Sequence, residues 1–214
     1  MPLWDMFLDN SDRGTHKWAH YFPIYEQHFS RFVNRPVTLF EIGCGKGGSL
    51  QMWKKYLGPH AVIVGLDIKP TTKTFEEHQI AVRIGNQSDT EFLGAVVQEF
   101  GSPDIVIDDG SHMMNDVLAS FRMLYPLTDR NGVYVVEDTH TNYLEKYGGG
   151  LRREGTFIEF CKPLIDQLNG EHAQDELSPT DFASSTLSMH FHDSVVVFEK
   201  GRHRRKSALK TGNH

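Results

Sequence analysis

No apolar run in the sequence approaches the roughly 20 residues that a membrane-spanning helix needs, although apolar residues make up 39% of the chain. No membrane span is therefore expected. The first residues, M-P-L-W-D-M-F-L-D-N, lack the basic start of a secretory signal. Cysteine is scarce. Cys44 and Cys161 stand in unlike contexts, so one bridge is the most they could make, and reduced thiols in the cytoplasm are the better reading. Positive charge is in the minority: a formal net charge of −6 argues against a general phosphate-backbone binder, and no nucleic-acid partner is expected. The one basic stretch, G-R-H-R-R-K-S-A-L-K-T-G-N-H over 201–214, has no apolar period and reads as a solvated, disordered tail. Repeats and low-complexity segments are absent. At 214 residues the chain fits one domain, assigned to 1–200.

What is present is an alternation of strands and helices. Trp18, Phe22, Tyr25, Phe29 and Phe32 stand at helical spacing and predict an amphipathic helix over 18–32, within an N-terminal helical cap of residues 1–35. Strands follow at 37–42, 61–68, 81–84, 105–107 and 132–136. Helices fall between them: one runs from the glycine cluster to about 56, one covers 91–100, and one carries Val117, Leu118, Phe121 and Leu124 on one face. Such an order implies a parallel sheet with right-handed crossovers. The close differs, since 187–191 and 195–199 are strands separated by His192-Asp193-Ser194, a hairpin signal. The polar segment 141–180 reads as an insert of one helix, 157–168, and two mobile loops, and loops of that length often act as lids.

The first strand, turn and helix read F-E-I-G-C-G-K-G-G-S. Glycines at a strand's carboxyl end let the backbone turn tightly and approach a ligand, and the helix N-terminus offers free N–H groups. Asp67, at the end of the second strand, is placed to accept hydrogen bonds from a ribose diol. Gly43, Gly45 and Gly48 also satisfy the dinucleotide fingerprint G-x-G-x-x-G, so an NAD-linked oxidoreductase is the competing reading. Three features favour S-adenosylmethionine (SAM): the E-x-G-x-G-x-G pattern beginning at Glu41, the lack of a second mononucleotide-binding half, and the terminal hairpin. Together they resemble the class I SAM-dependent methyltransferases. That resemblance implies a single-domain α/β, Rossmann-like sheet, mostly parallel with a C-terminal antiparallel hairpin and helices on both faces. It also implies that Glu41, Gly43 and Gly45 belong to the SAM site, that Asp67 holds the ribose, and that Gln87 or Ser88 approaches the adenine. Asn86-Gln87-Ser88-Asp89 is equally ordinary turn chemistry. Cys44 sits in the loop where a small residue is required, and no thiol chemistry is assigned to it.

The fourth strand ends I-V-I-D-D-G-S-H and the fifth ends Y-V-V-E-D-T-H. In a parallel sheet both emerge at the edge where ligands bind, so Asp108, Asp109, Glu137 and Asp138 converge. Four adjacent carboxylates repel unless a cation or a proton shares the site, and oxygen ligands suit Mg²⁺, Mn²⁺ or Ca²⁺. Helix capping would account for one or two of them, Asp108 above all. His112, three residues past Asp109, becomes a general-base candidate beside a metal and a methyl donor. The metal's help is needed, because an imidazole of pKa near 6.5 cannot readily deprotonate an alcohol unaided. His190 and His192 share a strand face, but a zinc site there wants a third convergent ligand.

The strings D-D-G-S-H and E-D-T-H, with G-T-H-K-W-A-H-Y-F before them, resemble the metal-dependent sugar O-methyltransferases of macrolide biosynthesis, the mycinamicin and tylosin type. The resemblance implies that Asp109, Glu137 and Asp138 bind Mg²⁺ or Mn²⁺ and that His112 is the base. It places Lys17 and His20 near SAM or the acceptor, with Asp108 supporting the site from behind or touching SAM. His140, Tyr143 and Tyr147 follow the acids and are expected to line the acceptor site. Little lies beyond the catalytic core, and Thr-His-Lys stands where Thr-Asp-Lys is also familiar; both bear on the acceptor, a small molecule or oligosaccharide. The expected activity is methylation of a sugar hydroxyl. The alternatives are a catechol-type O-methyltransferase, a metal-dependent hydroxylase or hydrolase on the same fold, and a non-catalytic SAM-binding module. A homodimer is the expected assembly.

Overall fold

The computed structural model describes residues 1–172, 177–178, 180–202 and 208–212. Most of the basic segment of the tail, expected to be disordered, and residues 173–176 and 179 of the 141–180 insert lie outside the described residues. Seven strands form one sheet: β1 (Thr38–Ile42), β2 (Val62–Asp67), β3 (Ile80–Ile84), β4 (Ile105–Asp108), β5 (Val133–Val136), β6 (Thr186–His192) and β7 (Val195–Lys200). Their order is β3-β2-β1-β4-β5-β7-β6. The first five pair in parallel, and β7 inserts antiparallel between β5 and β6. The fold class expected from the alternation is the one observed.

Both sheet faces are covered, as parallel strands require. On one face α2 (Tyr21–Phe29) and α3 (Gly48–Leu57) lay Phe22, Tyr25, Phe29, Trp53 and Leu57 over Leu39, Ile63, Ile107 and Val135. On the other, α4 (Thr90–Phe100), α5 (Met114–Leu127) and α6 (Phe157–Leu168) lay Leu93, Phe121, Leu124 and Phe157 over Phe40, Val64, Val106 and Phe198. Short helices α1 (Leu3–Leu8) and α7 (Asp181–Ser185) complete the set; the sequence periodicity did not reveal either.

The helix expected over 18–32 is shorter. It spans Tyr21–Phe29 and tightens into a 3-10 turn at Ser30–Phe32. Pro23 supplies the reason: extended further back, the helix would drive the proline ring against the carbonyl of Ala19. Trp18 is left outside, 49% exposed. The insert after β5 is more structured than two open loops, with 3-10 turns at Thr139–Tyr143 and Glu145–Tyr147 ahead of α6. Asn142 is buried there, donating to the Thr139 carbonyl at 2.8 Å and accepting from the Ile158 N–H at 2.9 Å. No helix among the described residues is long and apolar enough to cross a membrane.

The strand register builds the site. Ile42 pairs with Leu66 on one side and Asp108 on the other, and Asp108 pairs with Val136. The next residues, Asp67, Gly43, Asp109 and Glu137, therefore leave the sheet side by side in one row. At about 4.8 Å per strand spacing, the row is roughly 14 Å long.

Candidate active site at the carboxyl edge of the sheet

The glycine loop occupies the middle of the row. Gly43 has φ +82°, and a Cβ there would lie 2.1 Å from the Asp109 carbonyl oxygen. Glycine is thus required by both the backbone conformation and the close approach of the two strand ends. Gly45 has φ +52° and open space beside it, and its N–H donates to Asp67 Oδ2 at 3.2 Å. Asp67 also accepts from the Lys69 N–H at 2.9 Å, which fixes its carboxylate at the mouth of the cleft. Gly48 has another role: a Cβ on it would strike the Arg13 carbonyl at 2.3 Å, so the third glycine admits the N-terminal segment rather than a phosphate. Burial pushes the Cys44 thiol up to about 12, and both cysteines are free and buried, in line with the reading of Cys44 as a small packing residue.

A cavity of about 350 Å³ runs from Gly43, Gly45 and Asp67 past Gln87 to Asp109 and Ser111, and a second lobe of about 270 Å³ joins Gly43, Gly45 and Asp109 to Lys17. Gln87 lines the larger lobe with its amide already engaged. Its Nε2 donates to Asp108 at 3.1 Å and its Oε1 accepts from the Ser111 N–H at 2.7 Å. Ser88 instead closes a turn on Asn86 Oδ1.

The acids divide by strand alternation. Odd-numbered positions of β1, β4 and β5 face α2 and α3, and even-numbered positions face α5. Asp108 therefore points away from the other acids, accepting hydrogen bonds from the Ser120 hydroxyl on α5 and from Gln87. It lines neither lobe of the cleft. Glu41 is likewise off the cleft wall. Completely buried, it accepts from Ser49 Oγ at 2.7 Å and Trp53 Nε1 at 3.2 Å, with Lys17 Nζ 3.5 Å away. Burial pushes the Asp108 carboxyl up to about 7. A raised carboxyl stabilises the fold in its protonated form, so its contribution is present below the ordinary value of 3.8 and is lost as the pH climbs towards about 7. Over that window the urea midpoint of Asp108→Asn is expected to fall less steeply with pH than that of the wild type. Equal slopes would mean that Asp108 ionises without penalty.

Asp109, Glu137 and Asp138 converge, but not symmetrically. Lys17 Nζ donates to Asp109 Oδ2 at 2.6 Å and to Glu137 Oε2 at 2.8 Å, with its side chain 2% exposed. Burial alone would lower the lysine, yet Asp109 and Glu137 outweigh it and hold the ammonium well above its ordinary range. Tyr25 donates to Glu137 Oε1 at 2.7 Å, and Tyr21 donates to Asp138 Oδ1 at 2.6 Å. Burial and the adjacent acids raise both phenols, which keeps them as O–H donors. Burial also raises Glu137, against the pull of Lys17. One ammonium thus faces Glu41, Asp109 and Glu137, with Asp138 close by on the Tyr21 hydroxyl, and the remaining negative charge needs a proton or a second cation. Asp109, His112 and Asp138 suit a second cation: each offers a ligand atom, and these lie within 4.8 Å of one another. His112 Nε2 is 3.9 Å from Asp109 Oδ1 and 3.7 Å from Asp138 Oδ2, neither short enough for a hydrogen bond. His112 and Asp138 both have left-handed backbones, at φ +58° and +52°. For non-glycine residues that conformation costs about 1–2 kcal/mol each, and such strain concentrates where side chains must be aimed.

The rim belongs to three segments. His20 Nε2 lies 3.1 Å from the Asp193 carbonyl and His140 Nδ1 lies 3.1 Å from Ser194 Oγ, so both rest on the β6–β7 turn. Trp18 stacks edge-on to His140 at 6.2 Å, and Tyr147 does the same to His112 at 6.2 Å. Tyr143 stands 52% exposed outside this group. Sequence reasoning missed Lys17 as the counter-ion, both tyrosine hydroxyls and the Asp193-Ser194 turn. A signal was available for the tyrosines: Tyr21 and Tyr25 are four residues apart on a buried helix face shared with Phe22, Ile24, His28 and Phe29.

In fold and in sequence the chain is similar to methyltransferases. The MycE methyltransferase of the mycinamycin biosynthetic pathway, solved in complex with Mg and SAH, superposes with a TM-score of 0.84 at 34% identity over 94% of this chain and 55% of that one. The same enzyme with Mg, SAH and mycinamycin VI gives a TM-score of 0.83 at 34% identity, over 94% and 54% of the two chains. In sequence, the chain is 39% identical over 204 residues to the 8-demethyl-8-(2-methoxy-alpha-L-rhamnosyl)-tetracenomycin-C 3'-O-methyltransferase of Streptomyces olivaceus, covering 88% of this chain and 52% of that protein. It is 36% identical over 198 residues to the mycinamicin VI 2''-O-methyltransferase of Micromonospora griseorubida, covering 86% and 49%. The resemblance drawn from D-D-G-S-H and E-D-T-H to sugar O-methyltransferases is borne out. The chain spans about half the length of these relatives. No family model matches it.

Proposed function

We propose that this chain is a SAM-dependent O-methyltransferase core that uses Mg²⁺ or Mn²⁺ to methylate a sugar hydroxyl on a glycosylated small molecule, with His112 as general base. The observation that carries the reading is the row Asp67, Gly43, Asp109, Glu137: it joins a ribose acceptor and a backbone cradle to a cluster of acids within one cleft. SAM lies along the larger lobe, with its ribose on Asp67 and its methionine end towards Gly43 and Lys17. Asp109 and Asp138 would hold the divalent ion, with Glu137, whose oxygens accept from Lys17 and Tyr25, beside them. Tyr21, Tyr25 and Lys17 aim those carboxylates, as hydrogen-bonded partners do in metal sites generally. The ion supplies Lewis acidity that lowers the pKa of a hydroxyl close to it. His112 Nε2 takes the hydroxyl proton, the acceptor oxygen forms its bond to the SAM methyl carbon, and the carbon–sulfur bond breaks to leave S-adenosylhomocysteine. Trp18, His20, His140 and Tyr147 stand where aromatic and polar groups would meet a sugar ring, with Tyr143 further out.

The relatives named above act on a rhamnosyl tetracenomycin and on mycinamicin VI, which supports a deoxysugar glycoside as the acceptor class. Incubation with methyl-labelled SAM, Mg²⁺ and a panel of rhamnosyl glycosides tests the reading. Label is expected on a sugar oxygen. Label on a catechol and on none of the glycosides would favour the catechol-type alternative.

A further inference from the structure

On the same face of the sheet as Tyr21 and Tyr25, but away from the cleft, three histidines converge. His28 comes from the end of α2, and His190 and His192 come from one face of the edge strand β6. Each offers a ring nitrogen, and these atoms lie within 4.8 Å of one another. The His28 ring meets His190 edge-on at 4.7 Å and His192 at 6.0 Å. His28 is 3% exposed, and its Nδ1 is 2.6 Å from Glu199 Oε1. Glu199 is also held by Arg31, and although burial would raise it, His28 and Arg31 keep its carboxyl below the usual range. The short contact to Glu199 engages Nδ1 and leaves Nε2 as the ring nitrogen open to another partner. That Nε2 is buried with no hydrogen-bond partner, and so is His192 Nε2. Two buried imidazole nitrogens without partners are costly unless something occupies the space between them.

We infer that His28, His190 and His192 form a transition-metal site, with Zn²⁺ the ion of choice, that clamps the N-terminal helical cap to the edge hairpin. The donor set decides the ion. Three imidazoles suit zinc, whereas the oxygen-rich cluster at Asp109 suits Mg²⁺. The Glu199–His28 contact is the carboxylate–histidine pairing that orients a metal-bound imidazole. Zinc–nitrogen bonds of about 2.0–2.1 Å set tetrahedral ligand atoms roughly 3.4 Å apart. Side-chain rotation closes that distance, since His190 and His192 are only partly buried on an edge strand. Three ligands leave a fourth position for water. The consequence is positional: α2 also carries Tyr21 and Tyr25, so an ion at its far end would hold the helix that aims Asp138 and Glu137. The inference stands on the histidines alone and does not depend on the proposed function.

The test is titration of the chelator-treated chain with Zn²⁺ in excess Mg²⁺, with Co²⁺ as a spectroscopic stand-in. The wild type is expected to bind about one equivalent at micromolar affinity or better and to show the intense visible bands of tetrahedral Co²⁺. His190→Gln/His192→Gln should abolish both signals. Glu199→Gln should weaken Zn²⁺ by about 10–100-fold, and Asp109→Asn should leave it unchanged. Retention of full affinity in both the double variant and His192→Gln alone would overturn the inference, as would a wild type that binds no Zn²⁺. Circular dichroism separates a lost ligand from a lost fold.

Discussion

His112→Ala is expected to lower the rate of methyl transfer by about 10²–10⁴-fold, the range for removing a positioned general base, while SAM affinity stays within a factor of about two. The split follows from placement. His112 sits near the end of the β4–α5 connection with its ring against Tyr147 and its Nε2 3.7 Å from Asp138, and it lines neither lobe assigned to SAM. Its left-handed backbone suits alanine less well than histidine, so a rate loss must be read beside His112→Asn, which tolerates that conformation and cannot act as the base. Both variants should be slow. If Asn restores the rate, the position matters for its backbone and not for its proton. If His112→Ala turns over normally, the base lies elsewhere. A loss of Mg²⁺ affinity in step with the rate would make His112 a ligand instead, since it shares the cluster with Asp109 and Asp138.

The second large effect is expected at Asp109. Asp109→Asn removes a carboxylate that touches both lobes of the cleft and accepts from Lys17 at 2.6 Å. Mg²⁺ affinity should fall on the order of 100-fold or more, and activity should fall with it. The fold should persist, because Lys17 keeps Glu137 at 2.8 Å. EDTA should abolish the wild-type rate, with Mg²⁺ or Mn²⁺ restoring it. A wild-type rate that EDTA leaves untouched would dispose of the metal, and Lys17 would then be the cation balancing the acids.

The succession of strands and helices, and the sheet edge that carries the candidate site, were legible in the sequence because they follow from local signals: apolar runs, the glycine turn after β1, acids closing β4 and β5, and the tight turn before β7. The rule that ligands bind at the carboxyl edge then gathered Asp67, Gly43, Asp109 and Glu137 before any register was known. Asp108 shows where reasoning by proximity stopped short. A period of two along β4 assigns Asp108 and Asp109 to opposite faces, and the alternation of Ile105, Val106 and Ile107 between the two core clusters states the same rule. The fate of Lys17 was not legible. It lies in irregular chain before α2, and its reach to Asp109 and Glu137 spans 92 and 120 residues, a separation on which periodicity is silent. His28 was hidden for a related reason. As a position on an amphipathic helix it reads as an ordinary packed residue, and only the pairing of α2 with the edge hairpin supplies the third ligand that His190 and His192 lacked.

The central claim is that the cleft holds SAM beside a divalent cation. Isothermal titration of the chain with SAM and with NAD, each with and without Mg²⁺, tests it most directly. The expected result is micromolar SAM binding, no heat from NAD, and separate Mg²⁺ binding that Asp109→Asn removes. Preference for NAD, or SAM binding that survives an Asp67→Ala change undiminished, would contradict the account.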